Sequence, residues 1–196
     1  MKKNNNQVKS NIVSAAWELF YRFGYENTTI DDIVHRAHVS KGSFYYYFST
    51  KADLLESLSY LFDRKYEELM ESMPSDLKPV EKLLLLNREL LIMIENTVPV
   101  SLLSQLFVSQ LSAKGERHLL NPERSYFKVI RQVVLEGKEE GIFLDELTVN
   151  DITRSYAMFE RALLYDWCLF NGNYSLYQYS RQQLKLFLNG MTKKDV

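Results

Sequence analysis

Apolar residues recur every three or four positions along most of the chain, which is the spacing of one face of an α-helix. The first apolar stripe consists of Val8, Ile12, Ala16, Leu19 and Phe23. Gly24 follows this stripe and is suited to the left-handed conformation that often ends a helix. The pattern therefore predicts a first helix that ends near Phe23.

Two short helices are predicted next from their capping residues. Thr29 precedes Asp32 by three positions, and this spacing predicts a capping box at the start of a second helix. Ser40 is a further N-cap candidate and predicts a third helix over about 41–48. The segment between the two helices, 37–39, is predicted to be a tight turn.

Six longer helices are predicted over the rest of the chain. They span about 50–73, 79–96, 100–113, 121–140, 151–171 and 175–188. Asn121 followed by Pro122 predicts the N-cap and the first helical residue of the fourth of these helices, and Gly141 predicts its end. The sequence thus predicts an all-α fold of about nine helices joined by short connections.

The last two predicted helices are apolar on more than one side. Over 151–171, one stripe is Ile152, Tyr156, Phe159, Leu163, Trp167 and Phe170, and a second is Met158, Tyr165 and Cys168. Such a helix is either fully internal or covered by another subunit. We favour a homodimer formed through the last two helices, because large apolar patches are unusual on monomers.

Composition narrows the class of protein. Hydrophobic residues at 46% and charged residues at 25% are typical of a globular protein and exclude a largely disordered chain. The uncharged segment from Asn96 to Ala113 is interrupted by polar residues, so no membrane span is expected. A single cysteine, Cys168, excludes an intrachain disulfide. No secretory signal is recognised near the N-terminus, so a cytoplasmic location is expected.

The charge is distributed unevenly along the chain. The first 51 residues carry seven Lys or Arg and four Asp or Glu, whereas the whole chain has a formal net charge of −1. The N-terminal segment is therefore the candidate for binding a polyanion such as DNA.

Residues 29–48 fit a helix-turn-helix, whose second helix enters a groove of DNA. Small or polar side chains at the start of that helix permit close approach to base edges, and nearby cations and hydroxyls bind phosphates. Phe44 and Phe48 are expected in the core, whereas the three tyrosines between them are expected to be partly exposed. The expected DNA-binding residues are Thr29, Ser40, Lys41, Gly42, Ser43, Tyr45, Tyr46, Tyr47 and Lys51.

The run from Thr28 to Leu55, TTIDDIVHRAHVSKGSFYYYFSTKADLL, resembles the DNA-binding signature of TetR-family transcriptional regulators. The segment from Ala15-Ala16 to Phe20 and the pair Phe23-Gly24 are also similar to the first helix of that family. The family most often has glycine in the turn where this chain has His38, so we expect His38 to adopt a positive φ.

The resemblance implies a domain organisation and a mechanism. It implies a three-helix DNA-binding domain over residues 1–50, followed by a helical ligand-sensing and dimerisation domain over 51–196. It implies a repressor that binds a palindromic operator as a homodimer and is released when a small-molecule inducer shifts the fourth helix.

Large side chains on the central helices are the candidates for binding such an inducer, which we expect to be apolar or aromatic. They are Tyr66, Met93, Phe107, Tyr126, Phe159 and Arg161. Asp31, His35 and His38 are spaced so that they could place metal ligands on one helical face, but Asp31 is accounted for as first-turn charge and His38 as a turn residue. No catalytic motif or cofactor fingerprint is found, so we expect no enzyme, no metal and no cofactor. The alternative is a DNA-bound architectural or cell-division factor that has no inducer and is controlled by a protein partner.

Overall fold

The computed structural model describes residues 2–193, with side chains from Gln7 onward. These residues form nine α-helices, two short 3-10 helices and one isolated bridge between Phe143 and Thr192. The all-α prediction is therefore confirmed. The α-helices are α1 (Lys2–Phe23), α2 (Ile30–Arg36), α3 (Lys41–Tyr47), α4 (Glu56–Glu71), α5 (Pro79–Thr97), α6 (Val100–Ser112), α7 (Ser125–Glu139), α8 (Val149–Leu169) and α9 (Leu176–Asn189).

The first compact unit comprises the described residues up to Tyr60 together with Pro99–Leu119. Within it, α1, α2 and α3 pack against one another, and α6 packs against the 3-10 helix Lys51–Leu55. Each fully buried aliphatic or aromatic side chain contributes about 1.5–3 kcal/mol of transfer free energy. The core of this unit includes Ile12, Ala16, Phe20, Ile33, Phe44, Leu54, Leu55, Leu102 and Leu103.

The second compact unit comprises Leu61–Val98 and the described residues from Leu120 onward. Helix α5 packs against α7 and α9, and α8 also packs against these two helices. The chain passes from the first unit to the second within α4. The core of the second unit includes Leu83, Leu86, Leu90, Ile130, Val133, Val134, Ile152, Leu184 and Leu188. The functional boundary expected near residue 50 stays a prediction.

The capping residues predicted from the sequence are found at the short helices. Thr29 accepts a hydrogen bond of 3.2 Å from the backbone N–H of Asp32, whose carboxylate accepts one of 2.9 Å from the Thr29 N–H. Ser40 Oγ accepts a hydrogen bond of 3.1 Å from the Ser43 N–H. Gly24 has a φ of +83°, the left-handed conformation expected at the end of α1.

The predicted start of the helix near residue 121 is wrong. Helix α7 begins at Ser125, and Asn121 instead closes a turn. The Asn121 side-chain oxygen accepts a hydrogen bond of 2.9 Å from the Glu123 N–H, and its backbone carbonyl accepts one of 3.3 Å from the Arg124 N–H. Asparagine favours this local turn as readily as a helix N-cap, so the sequence pattern did not discriminate between them.

The fourth helix also begins later than predicted. Thr50 and Asp53 do form the expected capping interaction, because the Asp53 carboxylate accepts a hydrogen bond of 3.1 Å from the Thr50 N–H. The segment that follows, Lys51–Leu55, is a 3-10 helix, and α4 begins only at Glu56. A capping box stabilises the first turn but does not decide whether that turn is α or 3-10.

No single helix in the part of the chain that the structure describes is both long and apolar enough to cross a membrane. Helices α5 and α6 meet the length and composition criteria only when they are taken together.

Candidate functional site

Helices α2 and α3 form a helix-turn-helix whose turn is closed by backbone hydrogen bonds. The Ala37 N–H donates to the Ile33 carbonyl at 2.9 Å, and the Val39 N–H donates to the Val34 carbonyl at 3.0 Å. His38 has a φ of +54°, which confirms the conformation expected where glycine would be easiest. The turn therefore directs the chain from α2 into α3 within four residues.

The aromatic run of α3 divides between the core and the surface as expected. Phe44 is fully buried, and Phe48, which ends the helix, is 7% exposed. Tyr45 and Tyr46 are 51% and 72% exposed. Tyr47 is half-buried, and its ring lies edge-on to that of Tyr46 with 4.8 Å between centroids. Helix α3 thus presents phenolic hydroxyls to solvent while two phenylalanines anchor it.

Lys41 is exposed at the first position of α3, where it forms an ion pair with Asp31 of α2. Its Nζ lies 2.8 Å from one Asp31 carboxylate oxygen and donates a hydrogen bond of 3.1 Å to the other. This hydrogen bond and the nearby negative charge raise the pKa of Lys41. In this conformation the Lys41 ammonium is therefore charged, and the Asp31 carboxylate balances that charge.

Lys51 is held by backbone carbonyls. Its Nζ donates hydrogen bonds of 2.7 Å to the Tyr25 carbonyl and 2.8 Å to the Thr28 carbonyl, and it lies 4.1 Å from the centroid of the Tyr25 ring. Burial lowers the pKa of Lys51. The ammonium thus links the 3-10 helix to the connection between α1 and α2, with one further N–H to donate.

The small residues at the start of α3 form an open polar surface. Ser40 and Ser43 hydroxyl oxygens lie 2.9 Å apart, and Ser40 is exposed. A Cβ added at Gly42 would meet only the Ser40 hydroxyl, at an ordinary 3.7 Å. The fold therefore does not itself require glycine at position 42. Glycine there is consistent with a surface that another molecule approaches closely.

The second unit contains a buried polar cluster centred on Glu160 of α8. The Tyr126 hydroxyl donates a hydrogen bond of 2.6 Å to this carboxylate, the Tyr66 hydroxyl donates one of 2.9 Å, and Asn87 Nδ2 donates one of 2.8 Å. Glu160 is 1% exposed. Burial raises the pKa of the Glu160 carboxyl, and the donated hydrogen bonds offset only part of this rise.

Further hydrogen bonds extend this Glu160 cluster to other helices. Tyr156 donates a hydrogen bond of 2.9 Å to the Leu83 carbonyl, and its hydroxyl oxygen lies 3.3 Å from that of Tyr66. Ser180 of α9 donates one of 2.7 Å to the Asn87 side-chain oxygen. The cluster therefore connects α4, α5, α7, α8 and α9.

A buried ion pair joins α4 to the start of α7. Arg124 donates two hydrogen bonds to the Asp63 carboxylate, of 3.1 Å from Nε and 3.0 Å from a terminal nitrogen. The Tyr126 N–H donates a further hydrogen bond of 3.1 Å to Asp63. Asp63 of α4 is thus hydrogen-bonded directly to Arg124 and Tyr126. Tyr66, also of α4, is linked to Tyr126 through Glu160.

Of the six expected ligand residues, the structure brings Tyr66 and Tyr126 together at Glu160, and Arg161 interacts electrostatically with Tyr126 and Glu160. Tyr66 and Tyr126 both bond to Glu160, and their ring centroids are 4.9 Å apart. Phe159 stacks on Phe187 at 4.6 Å, and Arg161, half-buried, has a pKa lowered by burial. Met93 is half-buried on α5, and Phe107 lies on α6 in the first unit.

Sequence reasoning missed Glu160, Asn87 and Tyr156 as members of one polar cluster. A signal was present, because Glu160 lies four residues after Tyr156 and three before Leu163, in the apolar stripe of α8. A carboxylate within a stripe that must be buried indicates either a functional group or a polar network.

A groove of about 270 Å³ lies between α5 and α9 in the second unit. Its lining includes the apolar residues Leu77, Leu84 and Leu184 and the charged residues Glu81, Arg88, Arg181 and Lys185.

Two family models match consecutive parts of the chain. Residues 12–58 match the model described as bacterial regulatory proteins, tetR family, and residues 61–190 match the YsiA-like protein, C-terminal region. The fatty acid metabolism regulator protein of Bacillus subtilis is 24% identical over 187 residues, which cover 93% of this chain and 95% of that protein.

Solved structures agree with this fold. Thermus thermophilus FadR, a TetR-family transcriptional repressor in complex with lauroyl-CoA, is 24% identical with a TM-score of 0.77 and covers 95% of this chain and 96% of its own. FadR from Bacillus subtilis in complex with stearoyl-CoA is 22% identical with a TM-score of 0.68 and covers 93% of this chain and 99% of its own. With its helix-turn-helix and both family matches, the chain belongs to the TetR family of bacterial transcriptional regulators.

Proposed function

We propose that the protein is a transcriptional repressor that binds a palindromic operator as a homodimer and is released by a small-molecule inducer. The observation that carries this proposal is the helix-turn-helix of α2 and α3, whose exposed face has small polar residues at its start and tyrosine hydroxyls beyond them. Repression follows by analogy with the Thermus thermophilus relative, which is a repressor. Binding to chromosomal DNA would place the protein in the cytoplasm.

Helix α3 is the proposed recognition helix. Ser40, Gly42 and Ser43 allow its first turn to approach base edges. The tyrosine hydroxyls and the ammonium groups of two lysines bind the phosphates on either side, and Thr29 joins them by exchanging the 2.6 Å hydrogen bond that its hydroxyl donates to Asp32 for one to phosphate. These contacts fix the register without reading sequence. The proposed phosphate-binding residues are Thr29, Lys41, Tyr45, Tyr46, Tyr47 and Lys51.

An exposed apolar surface on α8 and α9 supports the proposed homodimer. It consists of Met158, Tyr165, Leu169, Tyr179 and Leu186, each at least 49% exposed. A second copy of the chain would cover this surface through a two-fold axis. Leu169→Glu should therefore shift sedimentation towards the monomer, whereas Val108→Glu, at a 56% exposed position on α6, should not.

The Glu160 cluster is the proposed site at which an inducer acts. It includes Tyr66 of α4, and α4 is connected to the helix-turn-helix by the 3-10 helix Lys51–Leu55. An inducer that separates Tyr66 or Tyr126 from Glu160 would favour another position of α4. A coupling of about 1–3 kcal/mol would weaken operator binding roughly 5- to 150-fold. The acyl-CoA complexes of the two relatives support small-molecule binding by this chain.

Retention of genomic DNA fragments by the purified protein tests the proposal. At about 150 mM salt, the protein should retain one or a few fragments that share a palindrome. A variant with Tyr46→Ala and Lys41→Ala should retain far less. Equal and weak retention of all fragments by the unmodified protein would contradict a sequence-specific repressor and favour an architectural role.

A further inference from the structure

The groove between α5 and α9 presents partly exposed apolar side chains. Leu77, Leu84, Leu85 and Tyr177 line it, and each is half-buried, so part of each side chain is in contact with solvent. Binding of an apolar group in such a concave site is favourable because it removes this surface from water. The groove volume of about 270 Å³ lies near the lower end of the roughly 300–1,000 Å³ range of small-molecule clefts, so its size suits a small molecule.

The charged residues that line the groove are three cations and one anion. They are Arg88, Arg181, Lys185 and Glu81. The Arg88 guanidinium donates hydrogen bonds of 2.8 Å and 2.6 Å to the Glu89 carboxylate. The Glu81 carboxylate accepts one of 2.9 Å from the Lys78 N–H at the start of α5. These two charged groups of the groove therefore already have partners within the protein.

Arg181 and Lys185 are the two cations of the groove that remain available to a ligand. Both are exposed and lie four residues apart on α9, and neither side chain forms an ion pair or a hydrogen bond with another described residue. Helix α9 contains no acidic residue that would balance their charge. Two neighbouring cations beside an apolar surface suit a molecule that has both an anionic and an apolar part.

From this arrangement we infer that the groove is a second ligand site, which binds the head of an amphipathic anion through Arg181 and Lys185 and packs its alkyl tail on the leucines. This inference goes beyond the proposed function and does not depend on it. The site is separate from the Glu160 cluster, because Asn87 is the one described residue of that cluster that also lines the groove.

The groove lies away from the proposed dimer surface. On α9 that surface includes Tyr179 and Leu186. At about 100° per residue, Arg181 and Lys185 lie roughly 100–160° around the helix from these two residues. A ligand therefore enters the groove without separating the two protomers of the proposed dimer.

Probes that differ in head group or chain length test the inference. Decanoate is an amphipathic anion, decyltrimethylammonium is its cationic counterpart, and hexanoate has the same anionic head on a shorter chain. In calorimetric titration of the full chain, at low salt and below micellar concentrations, decanoate should bind with a Kd below about 1 mM. Hexanoate should bind at least about tenfold more weakly because it buries less apolar surface. The cation should bind at least about tenfold more weakly because like charges repel.

Two double variants that remove the same amount of charge locate the binding. Arg181→Gln with Lys185→Gln removes the two available cations of the groove and should weaken decanoate binding at least about tenfold. Lys114→Gln with Arg117→Gln removes two exposed cations of the first unit and should leave decanoate binding unchanged. All four positions are exposed, so neither double variant should disturb the fold.

Three results would overturn the inference. The first is the absence of decanoate binding, and the second is equal binding of decanoate and decyltrimethylammonium or equal losses in the two double variants, because recognition would then not depend on the charge of the groove. The third is a loss of decanoate binding in Glu160→Gln as large as that in the groove variant, which would place the ligand at the Glu160 cluster. None of these measurements involves DNA, so their outcome is distinct from that of the repressor proposal.

Discussion

The Tyr126 hydroxyl donates a hydrogen bond of 2.6 Å to the Glu160 carboxylate, while the backbone N–H of the same residue donates one of 3.1 Å to Asp63. One residue in the first turn of α7 is therefore bonded to both α8 and α4. This relationship provides a physical route by which a change at Glu160 reaches the helix that leads to the DNA-binding segment.

Removing the Tyr126 hydroxyl should weaken the second unit. In Tyr126→Phe the Glu160 carboxyl loses its shortest hydrogen bond, so the free energy of unfolding should fall by about 1–3 kcal/mol. Urea denaturation followed by circular dichroism would measure this change. Tyr179→Phe, which removes the hydroxyl of a 49% exposed tyrosine on α9, should change the stability by less than about 0.5 kcal/mol. Equal effects of the two variants would contradict the role of Tyr126.

The raised pKa of Glu160 predicts a pH-dependent stability. Because the folded pKa lies above the unfolded value of about 4.3, this group stabilises the fold only while it is protonated, and the stabilisation is lost as pH rises through the folded pKa. Glu160→Gln has no ionisable group at this position and therefore does not lose this stabilisation as pH rises. Its stability relative to the unmodified protein should therefore increase as pH rises above about 4.3 in urea denaturation. A difference that is constant with pH would contradict a raised pKa.

Breaking the buried ion pair between Asp63 and Arg124 should lower stability more than removing the Tyr126 hydroxyl. Asp63→Asn removes the carboxylate charge that pairs with the buried Arg124 guanidinium, so the free energy of unfolding should fall by about 3–5 kcal/mol. Combining Asp63→Asn with Arg124→Gln removes both charges and should recover part of this loss. Chemical denaturation of both single variants and the double variant would give the coupling energy. A double variant whose loss equals the sum of the single losses would show that the pair is not coupled.

The ion pair between Lys41 and Asp31 predicts that DNA binding can be strengthened. Asp31→Asn frees the Lys41 ammonium for phosphate and removes a negative charge, so affinity for random DNA should rise roughly two- to tenfold at low salt. Lys41→Ala should lower the affinity and reduce the salt slope by about one. Fluorescence anisotropy over a range of salt concentrations measures both. Loss of affinity in Asp31→Asn would instead show that the ion pair orients Lys41 for binding.

Lys51 is predicted to act in both the fold and the interface. Lys51→Ala removes two hydrogen bonds to the Tyr25 and Thr28 carbonyls, each worth about 1 kcal/mol, and so should lower stability as well as DNA affinity. The loss of affinity should be equal on specific and random DNA, because phosphate contacts carry no sequence information. Tyr45→Ala should show the same equal loss with a smaller change in stability. Loss of specificity with random binding intact would contradict both assignments.

Much of the fold could be predicted because it is encoded locally. The capping pairs at Thr29 and Ser40 and the left-handed Gly24 depend on neighbouring residues, and the structure confirms each one. The start of α7 could not be predicted in this way. Asn121 suits both a turn and a helix cap, and distant partners such as Asp63 hold the segment that follows.

The candidate site was likewise predictable where it depends on local sequence and not where it depends on distant contacts. Exposure of Tyr45 and Tyr46 follows from helical periodicity and was predicted, and their role in binding DNA stays a prediction. The Glu160 cluster depends on residues up to 94 positions apart, which periodicity does not place together. A buried carboxylate in an apolar stripe was the available signal, whereas its hydrogen-bond partners required the folded chain.

The most direct test of sequence-specific binding by a homodimer is a titration of the retained palindromic fragment and of the same fragment with its sequence scrambled. At about 150 mM salt, the protein should bind the palindrome at least about 1,000-fold more tightly, and the mass of the complex should correspond to two protomers per palindrome. Equal affinity for the two fragments, or a complex with one protomer per palindrome, would contradict this account.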